Sequence, residues 1–336
     1  MNGPARILVI KFSALGDFVQ AFGAFETIRK AHPDAEITLL TTPPYAELAR
    51  DSGLFDRVEA DGRPKGLAAS FAMVRRLRRA LYARVYDIQT SSRSKGYRAF
   101  FFPRFPEWSG ISPGASHRQR GPARELMHNL DRIADQLHIA GIGPAYPEGQ
   151  APPPALGWAV KAARAGAGTT AERYGVKPPY ALLIPGVSPG RTEKLWPTAS
   201  FAALAQMLRA RGLSVVVAGG PGETPLAQVI LKAAPNAVDL TGKTRMVDLA
   251  GLGAEAALCV TNDTGPGHMA AYAGAPGLML MSAASSPRHY APRAAMRTLQ
   301  VEDLRALTPE AVLEALGDLG SPEGAGVRPR PSTGSG

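Results

Sequence analysis

A loop rich in glycine and hydroxyl residues follows the apolar run 182–184 and carries the residue types that bind a diphosphate. It reads Pro-Gly-Val-Ser-Pro-Gly-Arg-Thr-Glu-Lys-Leu-Trp-Pro from 185 to 197. Backbone amides and Ser188 can cradle phosphates, and Lys194 or Arg191 can neutralise them. The P-loop spacing Gly-x-x-x-x-Gly-Lys-Ser/Thr is absent, so an ordinary polar loop before a helix remains an alternative.

A second glycine-rich turn, Gly-Gly-Pro-Gly-Glu from 219 to 223, follows the apolar run 215–218. Its glycines permit a ligand to approach the backbone closely. Glu223 can hold ribose hydroxyls, as acidic residues do in other nucleotide-binding α/β folds. A plain turn between a strand and a helix explains the same residues.

The third loop, Asn-Asp-Thr-Gly-Pro-Gly-His from 262 to 268, is the most informative. Pro266 suits the first turn of a helix, where its missing N–H costs nothing. Thr264, Gly265 and the free amides then form an anion site at the helix N-terminus. We expect Asp263 to take sugar hydroxyls. His268 is either a ligand or a capping or core histidine.

In the first half of the chain, Lys-Phe-Ser-Ala-Leu-Gly-Asp runs from 11 to 17 between a predicted strand and a predicted helix. Gly16 allows a tight turn there. Asp17 can cap the helix, which stabilises it by about 1 kcal/mol. A carboxylate at the edge of a cleft is also a suitable general base for an acceptor hydroxyl, and one residue can serve both roles.

The elements that must position these loops alternate between short apolar strands and helices, which indicates parallel sheets with crossover helices. In the first half we predict strands at 6–11, 36–41, around Val58, 86–90 and 108–111, and helices at 17–31, 45–52, 67–83 and 124–140. In the second half we predict strands at 180–184, 213–218, 238–240, 257–261 and 277–281, and helices at 200–211, 224–234, 246–252 and 266–273.

The predicted elements form two domains. Residues 1–143 form the first, and 157–320 form the second. The stretch 144–156 is rich in proline and is predicted to link them. The last residues, 321–336, consist largely of glycine, proline and serine, and we predict a disordered tail.

The formal net charge of +10 is concentrated in a basic stretch between Arg63 and Arg104. Such a surface attracts an anionic membrane or a phosphorylated lipid, although an arginine-rich composition on a solvated helix face is an alternative. No recognition motif accompanies the basic stretch, so we predict no nucleic-acid partner.

The single cysteine, Cys259, lies in an apolar run and fits a reducing compartment. We see no signal segment or membrane span, and expect a cytoplasmic protein.

Taken together, these motifs resemble those of the bacterial heptosyltransferases of lipopolysaccharide core assembly, glycosyltransferase family 9. The resemblance extends to about Leu319. The matching segments are 7–17, Lys-Leu-Trp-Pro at 194–197, Gly219-Gly220 with Glu223, and Asn-Asp-Thr-Gly at 262–265 with His268. It implies a GT-B fold, in which two Rossmann-like, doubly wound α/β domains face a central cleft. It also implies an inverting single displacement without metal or cofactor.

The resemblance also implies roles for individual residues. Asp17 resembles the base that deprotonates the acceptor. Lys194 resembles a lysine that contacts donor phosphate, Glu223 an acid near the ribose, and Met246 the residue that packs on adenine. The segment Asp263-Thr264-Gly265 together with His268 resembles the loop that binds phosphate and sugar, and we place Ser188 in the same donor site.

The acceptor is expected in the N-terminal domain, where we assign Ser13, Gln89, Arg93, Lys95 and Arg120 to it. Its identity is open, because the residues from 89 to 124 resemble the family only loosely. No metal site is predicted, since the six histidines show no ligand spacing with acids or cysteine.

The leading hypothesis is a heptosyltransferase. It transfers heptose from ADP-L-glycero-D-manno-heptose to a Kdo-lipid A type acceptor of the lipopolysaccharide inner core, as a monomer bound peripherally to the cytoplasmic face of the inner membrane. A GT-B nucleotide-sugar epimerase and a non-catalytic protein that binds a nucleotide sugar or lipid are alternatives. A dinucleotide oxidoreductase is disfavoured, because Gly-x-Gly-x-x-Gly is absent after the first strand.

Overall fold

The computed structural model describes residues 4–166 and 168–320, which divide into two compact units. The first unit contains the described residues up to Trp158 together with Arg288–Tyr290. The second contains Ala159–Pro287 and the described residues from Ala291 onward. The predicted tail, 321–336, lies outside the described residues.

The first unit is built on a six-stranded parallel sheet. Its strands are β1 (Arg6–Ile10), β2 (Glu36–Leu40), β3 (Arg57–Glu59), β4 (Arg84–Asp87), β5 (Glu107–Gly110) and β6 (His117–Arg118). Its helices are α1 (Leu15–Gln20), α2 (Phe22–Ala31), α3 (Pro43–Asp51), α4 (Leu67–Arg79), α5 (Ser92–Gly96), α6 (Ala123–Leu126) and α7 (Asn129–Ile139). The strand order is β3-β2-β1-β4-β5-β6.

A second six-stranded parallel sheet forms the second unit. Its strands are β7 (Tyr180–Ile184), β8 (Ser214–Val217), β9 (Val238–Asp239), β10 (Leu258–Asn262), β11 (Gly277–Met281) and β12 (Met296–Gln300). The remaining helices of the chain are α8 (Gly157–Arg164), α9 (Thr170–Arg173), α10 (Thr198–Ala210), α11 (Thr224–Ala233), α12 (Met246–Glu255), α13 (Gly265–Tyr272), α14 (Pro287–Tyr290) and α15 (Pro309–Leu316).

Both sheets share one doubly wound topology. The second has the order β12-β11-β10-β7-β8-β9, which repeats the first when the strands are counted from β7. In each sheet the chain direction across the sheet reverses once, between β1 and β4 and between β7 and β10. Ligands of such sheets bind outside the carboxyl ends of the strands at this switch point. The prediction of two doubly wound α/β halves is therefore confirmed.

Apolar side chains cover both faces of the central strands. Every residue of β7, β10 and β11 is buried, as expected for parallel strands with helices on both sides. In the second unit, Trp196 and Phe201 pack edge to face and join the core formed by β7, β8 and α10. In the first unit, Trp108 packs against Phe101 at the end of a core that includes β1. The loops after these strands are thus attached to rigid supports.

Two predicted helices are each split in the structure. The segment 17–31 forms α1 and α2, which meet at Ala21. The segment 124–140 forms α6 and α7, because Met127 and His128 are extended, with ψ of 146° at both. His128 then caps α7, and its Nδ1 accepts a hydrogen bond from the Leu130 amide. The sequence patterns also did not predict strands β6 and β12, which lie at sheet edges, or five helices of four to eight residues, namely α5, α8, α9, α14 and α15.

The proline-rich segment 144–156 is anchored to the first unit. The Asp131 carboxylate accepts hydrogen bonds from the amides of Gly149 (3.0 Å) and Ala151 (3.1 Å). Leu156 is buried. The predicted role of this segment as a linker, and the boundaries drawn from it, stay a prediction. No helix in the described part of the chain is long and apolar enough to cross a membrane.

Candidate functional site

The switch point of the second sheet brings the 185–197 loop and the 262–268 loop together. Lys194 Nζ donates a hydrogen bond of 2.5 Å to Asp263 Oδ2. The two side chains are only 16% and 8% exposed. Ser285, from the loop after β11, donates a second hydrogen bond of 2.8 Å to the same oxygen. Adjacent strand ends therefore build one polar cluster from three loops.

His268 completes this cluster from the first turns of α13. It is buried, and its Nε2 lies 3.7 Å from Asp263 Oδ1. Its ring stacks against that of Tyr272 with the centroids 6.1 Å apart. Nδ1 is buried and has no hydrogen-bond partner among the described residues. The side chain is thus a buried group in contact with a charged cluster, and it does not cap the helix.

The Asp263 carboxylate is held in its ionised form. Burial alone would raise its pKa, but the neighbouring His268 and the hydrogen-bonded Lys194 outweigh burial and hold the pKa well below its usual range. Lys194 and Asp263 therefore face each other as a charged pair in a poorly solvated place. The ion pair holds the Lys194 ammonium at the carboxyl edge of the second sheet.

Asn262, the last residue of β10, ties the loops of this cluster to one another. Its buried side chain accepts a hydrogen bond from the Trp196 amide (3.1 Å) and donates one to the Pro185 carbonyl (2.7 Å). These contacts fix both ends of the loop that carries Lys194. The sequence motif contains Asn262 but does not by itself indicate this role.

Glu223 lies directly against glycine backbone. A Cβ atom at Gly186 would come 2.6 Å from Glu223 Cγ, and Cβ atoms at Gly219 and Gly220 would come within 3.1 Å and 3.0 Å of its carboxylate oxygen. The glutamate is half-buried at the start of α11. Glycines at the ends of β7 and β8 therefore provide the space in which this side chain sits.

The other predicted donor residues are placed as follows. Thr264 is the N-cap residue of α13 and is extended, Gly265 begins the helix, and Pro266 falls in its first turn as predicted. Ser188 is exposed, and Met246 is half-buried at the first position of α12. No hydrogen bond of the described chain joins Ser188 or Met246 to the Lys194–Asp263 pair.

In the first unit, Asp17 is at the third position of α1. The N-cap residue is Ala14, with no side-chain cap, so the interpretation of Asp17 as the N-cap is wrong. The Asp17 side chain is half-buried and forms no hydrogen bond or ion pair with another described residue. No hydrogen bond within the described residues therefore occupies the Asp17 carboxylate.

The loop before α1 is held by residues from two other loops. Gln89 Oε1 accepts hydrogen bonds from the amides of Phe12 (2.8 Å) and Ser13 (3.2 Å). Ser13 Oγ accepts one of 2.5 Å from Arg63, whose guanidinium lies 5.6 Å from the centre of the Phe12 ring. Gln89 thus positions the loop that carries Asp17. Arg63, which was not assigned to the site, joins it through Ser13.

Two buried ionisable side chains, Lys11 and Asp87, lie at the ends of β1 and β4. Lys11 is 4% exposed, and burial lowers its pKa, while the charges of Asp17 and Asp87 act in the opposite direction. Burial raises the pKa of Asp87 to about 6, against the lowering effect of the Thr90 amide. Asp87 Oδ1 accepts a hydrogen bond of 3.0 Å from the Thr90 amide, and Asp87 Oδ2 has no hydrogen-bond partner among the described residues.

The remaining acceptor candidates are not brought together by contacts. Arg93 and Lys95 are exposed on α5, which begins with a capping box at Ser91, and Arg120 is exposed on a loop. Arg124 is instead buried, and it donates a hydrogen bond of 2.7 Å to Thr90. Across residues 4–166 and 168–320, no group of three or more histidine, cysteine, aspartate and glutamate residues is placed to hold a metal ion.

Comparisons with known proteins show which proteins this chain is similar to. Residues 146–308 match the family model of glycosyltransferase family 9 (heptosyltransferase). The chain is 29% identical over 165 residues to lipooligosaccharide heptosyltransferase 2 of Haemophilus influenzae, a match that spans 42% of this chain and 47% of that protein. It is 26% identical over 285 residues to lipopolysaccharide heptosyltransferase 3 of Escherichia coli, with 80% of each covered.

Its fold is similar to that of E. coli ADP-heptose LPS heptosyltransferase II, with a TM-score of 0.76, 22% identity, and 94% of this chain and 98% of that chain covered. This similarity supports the GT-B fold that the sequence motifs imply. The resemblance to the heptosyltransferase family is confirmed. The chain therefore carries the sequence signature of glycosyltransferase family 9 (heptosyltransferase) across residues 146–308.

Proposed function

We propose that this protein transfers heptose from ADP-L-glycero-D-manno-heptose to a Kdo-lipid A type acceptor in lipopolysaccharide inner-core synthesis. The observation that carries the proposal is the buried Lys194–Asp263 pair at the switch point of the second sheet. It lies inside the segment that matches the heptosyltransferase family. The names of the two curated relatives point to the same class of acceptor.

In this proposal, the second unit binds the donor. Lys194 contacts the diphosphate, because a cation held at a strand end stabilises the charge that develops on the leaving group. Glu223 accepts hydrogen bonds from ribose hydroxyls, and Met246 packs on the adenine. The hydroxyl and the backbone amide of Ser188 bind phosphate oxygens.

The loop 263–265 contributes to the same donor site. Thr264 and Gly265 present backbone amides at the start of α13, where a phosphate is favoured. Asp263 accepts hydrogen bonds from sugar hydroxyls, and His268 supports its carboxylate. These roles follow from placement at the carboxyl ends of β7 and β10.

The reaction we propose is an inverting single displacement without a metal ion. An acceptor hydroxyl attacks the anomeric carbon, and Asp17 takes the hydroxyl proton as this bond forms. The bond from the anomeric carbon to the diphosphate oxygen breaks, and ADP leaves with that electron pair. Asp17 suits the role because its half-buried carboxylate has no partner in the described chain.

The acceptor is assigned to the first unit, on the surface that includes Ser13, Gln89, Arg93, Lys95 and Arg120. Cations suit an acceptor that carries phosphate and carboxylate groups. We further propose that the protein is a monomer that associates peripherally with the cytoplasmic face of the inner membrane. This places it where its lipid-linked acceptor is available.

The test begins with isothermal titration of ADP, ADP-heptose, and uridine and guanosine diphosphate sugars, all in EDTA. ADP-heptose should bind most tightly among the sugars. Transfer to a Kdo-lipid A acceptor is then followed by mass spectrometry, again in EDTA. Preference for another nucleotide sugar overturns the donor, and dependence on added metal overturns the metal-free reaction.

Asp17→Asn tests the proposed base. We expect turnover to fall by at least a hundredfold with donor affinity unchanged, since general bases contribute about 10²–10⁴ in rate. Asp51→Asn is the matched control, because Asp51 is an exposed acid of the same unit.

Donor turnover without acceptor would instead support the epimerase alternative. A protein that binds donor but turns over none of it would be the non-catalytic alternative.

A further inference from the structure

Helix α4 presents large apolar side chains to solvent. Leu67 and Phe71 are 91% and 69% exposed, whereas Met73 and Leu77 on the opposite face are buried in the core of the first unit. Positions i and i+4 of a helix share a face, so Leu67 and Phe71 form one outward row. Folding of the first unit leaves this row uncovered.

A second exposed apolar group lies beside α4. Phe102 is 66% exposed and Phe105 is 43% exposed, with their ring centroids 6.1 Å apart. Together with Leu81, which is 59% exposed, they line a groove whose cations are Arg78 and Arg104. Five large or cationic side chains thus meet at one place on the surface.

Arg78 joins the two groups. It also lines the neighbouring groove along α4, with Phe71, Arg75 and Arg79. The exposed apolar side chains and the arginines therefore form one continuous surface. We call it the Arg–Phe surface and define it by Phe71, Arg75, Arg78, Phe102, Arg104 and Phe105.

The positive charge of this surface has no ion-pair partner among the described residues. None of its outward cations forms an ion pair with a described residue; they are Arg75, Arg78, Arg79 and Arg104. Arg76, on the inner side of the same helix, behaves differently, because it is paired with Glu59 and Asp61. The uncompensated arginines are complementary to an anionic partner.

We propose that the Arg–Phe surface docks the protein on an anionic lipid bilayer. Phenylalanine and leucine side chains enter the boundary between headgroups and acyl chains, and the arginines contact lipid phosphates. Aliphatic Leu67 and Leu81 favour a bilayer over single-stranded nucleic acid, which is bound by stacking on flat rings. This inference rests on the proposed function, to which it adds the surface that contacts the membrane.

The experiment measures co-sedimentation of the full chain with vesicles of phosphatidylcholine alone and of phosphatidylcholine with phosphatidylglycerol. Neither lipid carries a saccharide, so binding does not depend on the acceptor. We expect binding to the anionic vesicles only, weakening as salt is raised, because exposed charges are screened. The double variants Phe71→Ser/Phe102→Ser and Arg78→Glu/Arg104→Glu should each reduce binding at least tenfold.

Two control variants separate the surface from general effects of composition. Val229→Ser removes a side chain that is 43% exposed in the second unit, and Arg211→Glu reverses an exposed charge there. Both should bind vesicles as the wild type does. Circular dichroism and titration with ADP show whether each variant is folded and binds nucleotide. The single variant Phe71→Ser replaces any double variant that does not fold.

Absence of binding to anionic vesicles at low salt overturns the proposal. Binding to neutral vesicles as strong as binding to anionic ones also overturns it. So does a result in which both double variants bind anionic vesicles as strongly as the wild type. These results are independent of donor chemistry. A protein that binds ADP-heptose without binding vesicles keeps the proposed transfer reaction but loses this surface and the proposed membrane association. One that binds vesicles but no ADP-heptose keeps the surface and loses the proposed donor.

Discussion

The Lys194 ammonium and the Asp263 carboxylate, 2.5 Å apart, join the loop after β7 to the loop after β10. Their strands are neighbours in the sheet but lie far apart in the sequence. Both side chains are largely removed from water. Each charge therefore depends on the other, since an unpaired buried charge is strongly destabilising.

Lys194→Ala should reduce both stability and donor affinity. Removing one partner of a buried pair costs about 3 kcal/mol in the free energy of unfolding. Donor binding should weaken by about 2 kcal/mol, as for a lost charge-assisted contact. Urea unfolding and titration with ADP-heptose measure the two effects. Lys243→Ala is the control, because the Lys243 side chain is 60% exposed and its ammonium lies 3.8 Å from the Asp239 carboxylate, so their pairing should matter little. Unchanged donor affinity would remove Lys194 from the donor site.

Asp263→Asn should change the pH dependence of the free energy of unfolding. The pKa of Asp263 is held below its usual value in the folded protein, so the ionised group stabilises the fold above the unfolded pKa. That contribution is lost as pH falls below the ordinary aspartate range toward the folded pKa. The difference in unfolding free energy between wild type and variant should therefore shrink as pH is lowered from 5 to about 2. A constant difference across that range would contradict this account of the carboxylate.

Asp87 should show the opposite dependence. Burial raises its folded pKa to about 6 from the usual aspartate value of 3.8. Its stabilising contribution is then fully present below the unfolded pKa and is lost as pH rises through about 6. The wild-type protein should lose on the order of 3 kcal/mol of unfolding free energy between pH 4 and 7 through this group. The Asp87→Asn variant should not show this loss. Urea titrations at both pH values measure this loss, with Asp51→Asn as the exposed control. Equal pH dependence in wild type and Asp87→Asn would show that folding does not raise the pKa of Asp87.

The sequence alone predicts most of the second sheet and the loops that carry its polar residues. Strands β7 and β11 are uninterrupted apolar runs, and glycines mark the ends of β7 and β8. Loop residues follow directly from these strand ends. The position of Lys194 and Asp263 at one edge of a sheet was therefore within reach of pattern analysis.

Side-chain partners were not predictable in the same way. Ser285 follows β11, and only the sheet order places that strand beside β10, where the hydroxyl reaches Asp263. Arg63 contacts Ser13 from a loop that is 50 residues away in sequence. Asn262 is recognisable as a motif residue, but its role depends on the positions of Trp196 and Pro185. Such contacts depend on tertiary packing, which local periodicity does not encode.

Glu223 provides a test of the glycines that surround it. Alanine at Gly186 would place a Cβ atom 2.6 Å from Glu223 Cγ and 2.8 Å from Cδ, closer than packed atoms approach. The base of the glutamate side chain must then move, and its carboxylate moves with it. Gly222, in the next loop, has nothing within 4 Å of its ideal Cβ position. The chain therefore offers a matched pair of glycine to alanine substitutions.

Gly186→Ala should weaken donor binding about tenfold, which corresponds to the loss of one hydrogen bond to a charged group, about 1.5 kcal/mol. Gly222→Ala should leave donor affinity unchanged. Titration of both variants with ADP-heptose makes the comparison, and titration of the Glu223→Gln variant supplies the reference for an altered carboxylate. If Gly186→Ala binds donor as the wild type does while Glu223→Gln binds it weakly, Glu223 contacts the donor without support from the glycine. Equal affinity in all three variants would place Glu223 outside the donor site.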